Sequence, residues 1–388
     1  MNKPANVLTL SREHGAGGRE VGQRIAERLG WEFLDREILH RAAALTEIPQ
    51  ADLERMDGHL AGGRSRRHPL QSRYAAALKR VVSEAAARGG LVVIGRGANF
   101  ILRSAAAAFH LRLVAPLDAR ARRVADRERA GLAEAQRRCA EVDRQRGAFL
   151  QALFGRDGTV PSNYHLTVNT GRVPLADVVE IAVAAVRRDY PAAEGKPGGR
   201  RLLTLSRQLG AGERNFAEAL GKRIGLPVVD RELIHREAAL MGIPESSIPT
   251  FDESGPAILD RIDRGMDTTR YFAALSGIAK KHAEKGEVIL VGRGGALFLK
   301  DHPDAFHVLL TADLSVRIRR VMAFRWINEG PAREVIAASD RARAAFYRTC
   351  FGVEWADPLH YDLVANTGRL GVSAVDLVAF GAERRWGR

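Results

Sequence analysis

Residues 7–30 read VLTLSREHGAGGREVGQRIAERLG. A short apolar run, Val7–Leu10, meets a turn with glycine at 15, 17 and 18. The segment Glu20–Leu29 follows, with Val21, Ile25 and Leu29 on one helical face. Strand, Gly-rich turn and helix in that order are the layout of a phosphate-binding loop, in which converging N–H groups and the positive end of a helix hold an anion, although a tight strand-to-helix turn needs glycine anyway. Against the pattern G-x-x-x-x-G-K-[ST], Arg12 stands at the first glycine, Gly17 at the second, Gly18 at the lysine and Arg19 at the hydroxyl residue. The lysine is missing, and Arg19 and Arg12 are the candidates to replace its charge. The hydroxyl that would hold magnesium is missing too, unless Glu20 or a water takes its place. The nucleotide-holding residues expected here are Arg12, Gly15, Ala16, Gly17, Gly18, Arg19 and Glu20.

The stretch returns at 202–225 as LLTLSRQLGAGERNFAEALGKRIG, with roughly half of the aligned positions identical. The match continues. FLDREILHRAAALTEIP is echoed by VVDRELIHREAALMGIP, VVIGRGANFIL by ILVGRGGALFL, VDRQRGAFLQALFG by SDRARAAFYRTCFG, and YHLTVNTGRV by YDLVANTGRL. The offset is 195 residues at the front (Ser11 to Ser206) and 197 from the GRG motif onward (Gly95 to Gly292). That period is too long for a solenoid and fits a tandem domain duplication. The join, RRDYPAAEGKPGGRR, is rich in Pro, Gly and charge and reads as a linker. The expected organisation is 1–194, a linker at 195–200, and 201–388. In the second copy Gly210, Gly212 and Arg214 keep the loop, while Glu213 takes the lysine position.

Within a copy, strands alternate with helices. The predicted strands are Val7–Leu10, WEFLD ending in Asp35, LVVIG, FHLRLVA and HLTVNT. The predicted helices are Glu20–Leu29, Arg36–Leu45, Leu70 to about Arg88, one starting at Asp118, one holding Asp143 to Phe154, and Ala176–Arg187. This alternation predicts an α/β fold with a parallel sheet covered on both faces, and ligands at the carboxyl ends of its strands. Gly15–Arg19, Asp35–Arg36, Gly95–Gly97 and Asn169–Arg172 all fall there.

The formal charge of +14 points to an anionic partner, although an arginine-rich coding bias writes the same excess. Arg36, Arg41, Arg96, Arg120, Arg123, Arg144 and Arg146 recur in the second copy as Arg231, Arg236, Arg293, Arg317, Arg320, Arg341 and Arg343. Dispersed cationic forks are what phosphoryl transfer needs. A helix-face arginine is also an ordinary solvated residue, and His40 and His235 read as helix-face packing. Two cysteines, Cys139 and Cys350, form no metal spacing and suggest a reducing compartment. No stretch reaches the roughly 18 apolar residues of a membrane span, so a soluble cytoplasmic protein is expected.

Both halves resemble the cytidylate kinase-like family, a branch of the P-loop nucleoside monophosphate kinases. The resemblance runs over Val7–Arg187 and Leu202–Arg384, on SREHGAGGREVG, FLDREIL, VVIGRGANFIL, the D-R-x-R of Asp143–Arg146, and YHLTVNTGR. It implies two tandem P-loop domains, each a parallel sheet flanked by helices with a helical lid. The family's own loops run G-S-G-G-R-E-like, so the missing lysine looks like a family feature. Asp35, His40 and Arg41, with Asp230, His235 and Arg236, fall on a segment that holds the monophosphate. Gly95-Arg96-Gly97, and Arg293 in the second copy, fall on a G-R-D motif that grips it. Arg120, Arg123 and Arg127 resemble lid arginines. Asp143, with Arg144 or Arg146, resembles a segment for base and phosphate; Asp340 and Arg341 repeat it.

The resemblance implies transfer of the γ-phosphoryl group from Mg-ATP to CMP, dCMP or a related small acceptor. Arg19, Arg96, Arg120, Arg123 and Arg144 would then be catalytic. Asp35, Arg36, Arg41, Arg96, Asp143 and Arg146 would hold the acceptor, as would Asp230, Arg236, Arg293, Asp340 and Arg341. No dedicated protein ligand for Mg2+ is identified. The first half is expected to be the more active. A catalytically weak nucleotide-binding sensor is the alternative, favoured by the missing Lys and by Glu213. A basic nucleic-acid-binding protein is a third reading; aromatics at 6% and the lack of a reading motif count against it. Small-molecule nucleotides are the expected partners, with no membrane; the sequence sets no oligomeric state.

Overall fold

The computed structural model describes residues 4–35, 69–191, 200–212, 214–229, 268–292 and 294–387. The predicted helix at Arg36–Leu45, together with Arg36, Arg41, Asp230, Arg236, Arg293 and Glu213, lies outside them. Contacts divide the chain into two units, Met1–Asp189 and Tyr190–Arg388.

The first unit runs β1 (Val7–Arg12), α1 (Gly18–Leu29), β2 (Glu32–Leu34), α2 (Pro69–Arg88), β3 (Leu91–Ile94), α3 (Ala98–Ile101), β4 (Ala108–Val114), α4 (Leu117–Glu128), α5 (Leu132–Phe154), β5 (Leu166–Asn169) and α6 (Leu175–Arg187). Its strands lie in the order β2-β3-β1-β4-β5. Every pairing is parallel, with Val7 opposite both Leu91 and Ala108. The cause is legible in the strands. All residues of Leu91–Ile94, Ala108–Val114 and Leu166–Asn169 are buried, as strands covered on both faces must be, and only the first is a continuous apolar run. On one face Tyr74, Leu78 and Val82 of α2 and Phe149 of α5 pack on Val7, Leu91 and Val93. On the other, α1 buries Val21 and Ile25 and packs on α6. From β1 the chain crosses toward β2 and from β3 toward β4, in opposite directions, so a crevice opens at the carboxyl ends of these two neighbouring strands.

Most predicted elements match within a few residues. The helix holding Asp143 begins much earlier, at Leu132, because nothing between Leu132 and Asp143 breaks it and Gly131 serves as its N-cap. Its first half packs antiparallel on α4 through Ala121, Val124, Ala135 and Cys139.

The second unit repeats the pattern: β6 (Leu202–Arg207), α7 (Arg214–Ile224), β7 (Val228–Val229), α8 (Thr268–Lys285), β8 (Val288–Val291), α9 (Gly295–Phe298), β9 (Ala305–Thr311), α10 (Leu314–Arg325), α11 (Glu329–Phe351), β10 (Leu363–Asn366), α12 (Thr367–Leu370) and α13 (Ser373–Trp386). Its strand order is β7-β8-β6-β9-β10. Even a buried polar pair is duplicated. Thr9 Oγ1 meets His110 Nδ1 at 2.8 Å, and Thr204 Oγ1 meets His307 Nδ1 at 2.7 Å. Each half is thus a parallel α/β domain of P-loop type. Among the described residues no helix is long and apolar enough to cross a membrane.

Candidate functional site

The loop Glu13–Gly17 joins the carboxyl end of β1 to the head of α1. Its shape is held from behind. Buried Arg120 donates to Ala115 O (2.8 Å), His14 O (3.0 Å) and Asp143 Oδ2 (2.7 Å). Asp143 Oδ1 in turn accepts from His14 N at 2.7 Å. Thr170 Oγ1 donates to Ala16 O at 3.1 Å, and Arg123 donates to Thr170 O at 2.6 Å and Thr170 Oγ1 at 3.0 Å. The carbonyls of His14 and Ala16 are therefore occupied on the protein side. The N–H groups of Gly17 and Gly18, at the head of α1, have no protein partner among the described residues. That arrangement leaves donors and a helix dipole for an anion. Gly15 has φ +82°, and a Cβ there would sit 2.6 Å from Arg120 O, so only glycine fits.

One cleft of about 1420 Å³ is lined by Arg12, Gly15, Gly17, Gly18, Arg19, Glu20, Asp35, Arg96, Arg123, Asp143 and Arg146, among others. It is larger than a pocket for one drug-sized ligand. Arg96 sits in the turn after β3 with φ +52°, between Gly95 and Gly97 at +73° and +70°. Its guanidinium lies 5.8 Å from the centre of the Phe149 ring. A non-glycine residue in that conformation costs of order 1 kcal/mol and points to a positional requirement. Arg146 donates to Arg12 O at 3.2 Å and lies 3.6 Å from Asp143. Burial first, and then the Arg146 charge, lower the Arg12 pKa to about 9, against the pull of Asp35. Burial likewise lowers that of Arg146, and Arg96 pushes the same way.

Not every expected residue faces the cleft. Arg120 lies behind the loop, and Ala16 is buried beneath it. Arg144 is exposed and pairs with Glu141 at 2.7 Å. Arg19 is 68% exposed, with Nε 3.7 Å from Asp35. In the second unit a Cβ on Gly210 would meet Arg317 O at 2.8 Å. Arg317 grips Asp340 through two 2.8 Å bonds, and Arg341 is exposed. Gly212 packs against Leu310, and Arg214 opens α7.

Four residues of the first site are not among the functional residues expected from the sequence. Glu13 accepts from Ala115 N at 3.1 Å and lies 3.5 Å from buried Arg112. Arg112 donates to Gly158 O, and Asn99 is buried beside Ser11. Thr170 braces the loop. Only Thr170 carried a signal, in the repeated NTGR. The other three become Gln208, Leu309 and Ala296 in the second copy, and Arg127 becomes Phe324.

His14 offers a pH test. Burial, then Arg146 and Arg127, lower its pKa from 6.5 to about 4. A histidine with a depressed folded pKa stays neutral in the native state while the unfolded chain takes up a proton. Its stabilisation is complete above pH 6.5 and declines as pH falls toward 4. His14→Leu, the residue its counterpart Leu209 supplies, is expected to lose less Tm than the wild type between pH 7 and pH 5. An equal loss in both proteins contradicts the assignment.

The model of the cytidylate kinase-like family matches residues 7–172 and again 202–369. The cytidylate kinase of Pyrobaculum aerophilum is 27% identical over 173 residues, 44% of this chain and 86% of that protein. The cytidylate kinase of Methanothermobacter thermautotrophicus is 28% identical over 174 residues, 45% of this chain and 99% of its own length. A uronate isomerase of Corynebacterium glutamicum matches at 31% over 112 residues, 29% of this chain but only 21% of that protein. The family match and the kinase relatives support a nucleotide kinase-like function.

Proposed function

The chain belongs to the cytidylate kinase-like family, and on that footing we propose that its first half transfers the γ-phosphoryl group of ATP to a nucleoside monophosphate, CMP or dCMP first among them. The observation that carries this reading is that two anion-binding features line one cleft. The head of α1 presents the N–H groups of Gly17 and Gly18 to it. Arg96 and Arg146 line the same cleft, with Asp35. One feature suits the donor phosphates and the other the acceptor. Such a site works by holding reactants in line and neutralising the charge that develops on the moving group. Arg123 and Arg127, on α4, border the cleft where a closing lid would exclude water.

Magnesium would arrive with the nucleotide phosphates and screen their charge. Glu20 suits it. This carboxylate is in the first turn of α1 and on the cleft wall, with exposed Arg24 at 3.0 Å. A hard carboxylate oxygen is a suitable ligand for that ion.

The first half is the more active in this reading. The second has Gln208, Leu309, Ala296 and Phe324 where the first has Glu13, Arg112, Asn99 and Arg127. The same absences keep a second reading in view for that half, a nucleotide-binding domain without transfer.

Thermal shift on the full chain with nucleoside mono- and triphosphates, with and without magnesium, tests the assignment. The wild type is expected to be stabilised by a triphosphate and by a cytidine monophosphate. Arg146→Ala should lose the monophosphate shift, and its counterpart Arg343→Ala should keep it. Shifts that vanish only in Arg343→Ala place the site in the wrong half.

A further inference from the structure

Position 18 is glycine for a reason the loop itself does not supply. A Cβ there would lie 2.7 Å from Arg12 Cγ and 3.0 Å from Arg12 Cβ. The Arg12 side chain, leaving the end of β1, crosses the place where a side chain at 18 would start. Its far end is fixed as closely. A Cβ on Gly95 would run into Arg12 Nη1. Arg12 therefore spans the gap between the head of α1 and the turn that carries Arg96. A phosphate-binding loop with lysine at position 18 would send an ammonium into this region from the helix side. Here a guanidinium enters from the strand side, and the two glycines are the room it needs.

The charge balance fits an anion. Arg12, Arg96 and Arg146 repel one another, with Asp35 and Asp143 as the nearby carboxylates. Asp143 is already held by Arg120 and the His14 N–H. Arg12 remains a cation at neutral pH, with a pKa lowered only to about 9. The exposed Arg19 leans toward Asp35 instead of crossing the loop. In the second half a Cβ on Gly292, the counterpart of Gly95, would meet nothing within 4 Å, so the spanning arrangement belongs to the first half.

We propose that Arg12 is the catalytic cation of the first half: it takes the place of the lysine absent at Gly18 and contacts the phosphoryl group in transfer. This rests on the kinase reading above. It predicts that a lysine at 18 and an arginine at 12 compete for one space.

The test uses the full chain, a non-hydrolysable ATP analogue with magnesium, and turnover with ATP and CMP. Arg12→Met, which keeps bulk and removes charge, is expected to weaken analogue binding about tenfold or more and to lower kcat about 100-fold. Arg12→Lys should retain part of both. Gly18→Lys alone should bind worse than wild type, and Arg12→Gly with Gly18→Lys should recover binding to within a few-fold. Arg12→Met with wild-type binding and kcat overturns the proposal, and so does a double variant no better than Gly18→Lys alone. A wild type that binds no nucleoside triphosphate overturns the kinase reading itself.

Discussion

Arg96→Ala is expected to lower phosphoryl transfer by roughly two to three orders of magnitude, the usual loss when a charge-neutralising donor is removed. The protein should stay folded. Arg96 occupies a left-handed backbone at φ +52°. Alanine keeps that cost and glycine relieves it. Arg96→Gly should therefore melt higher than Arg96→Ala, by about 0.5–1 kcal/mol of stability, and be no more active. A residue kept only for packing on Phe149 would show the reverse pattern, with Tm falling and kcat holding. Coupled-assay kinetics and denaturant melts on both variants separate the two.

Arg120→Leu is expected to be strongly destabilising, by about 2–4 kcal/mol, because it breaks a hydrogen-bonded ion pair whose cation is buried. Arg120 is only 8% exposed. Its removal takes one partner each from Asp143 and Glu13, which keep Arg146 and Arg112, and frees the carbonyls of His14 and Ala115. The loop would lose the brace that turns its carbonyls away from the cleft, so nucleotide affinity should fall along with stability. Arg317→Leu should reproduce the loss in the second half, where the bond to Asp340 is bidentate. Urea unfolding with unchanged slope and a lowered midpoint is the expected readout; an unchanged midpoint contradicts the bracing role.

The fold lay close to the surface of the sequence. A short, β-branched apolar run such as LVVI, bounded by glycines on both sides, suits a strand covered on both faces, and the second copy repeats it as VILV. The short α3 and the early start of α5 were less legible, since both depend on where packing partners lie. The site divides in the same way. Gly15, Gly17 and Arg96 are visible because backbone requirements write themselves as glycine at fixed spacing. Arg120, Arg123 and Arg144 look alike in a sequence, three arginines on helices. The structure puts one behind the loop, one against Thr170 and one in solvent with Glu141. The meaning of Gly18 was hidden because it depends on the path of another side chain, Arg12, across it. Glu13, Asn99 and Arg112 look ordinary in the sequence, and their replacement in the second copy sets them apart.

The most direct measurement is γ-phosphoryl transfer from Mg-ATP to a panel of nucleoside monophosphates by the full chain, with Arg96→Ala alongside. A diphosphate product is expected with a cytidine acceptor, and its loss in Arg96→Ala. ATP bound with no acceptor phosphorylated, or full transfer by Arg96→Ala, contradicts the proposed function.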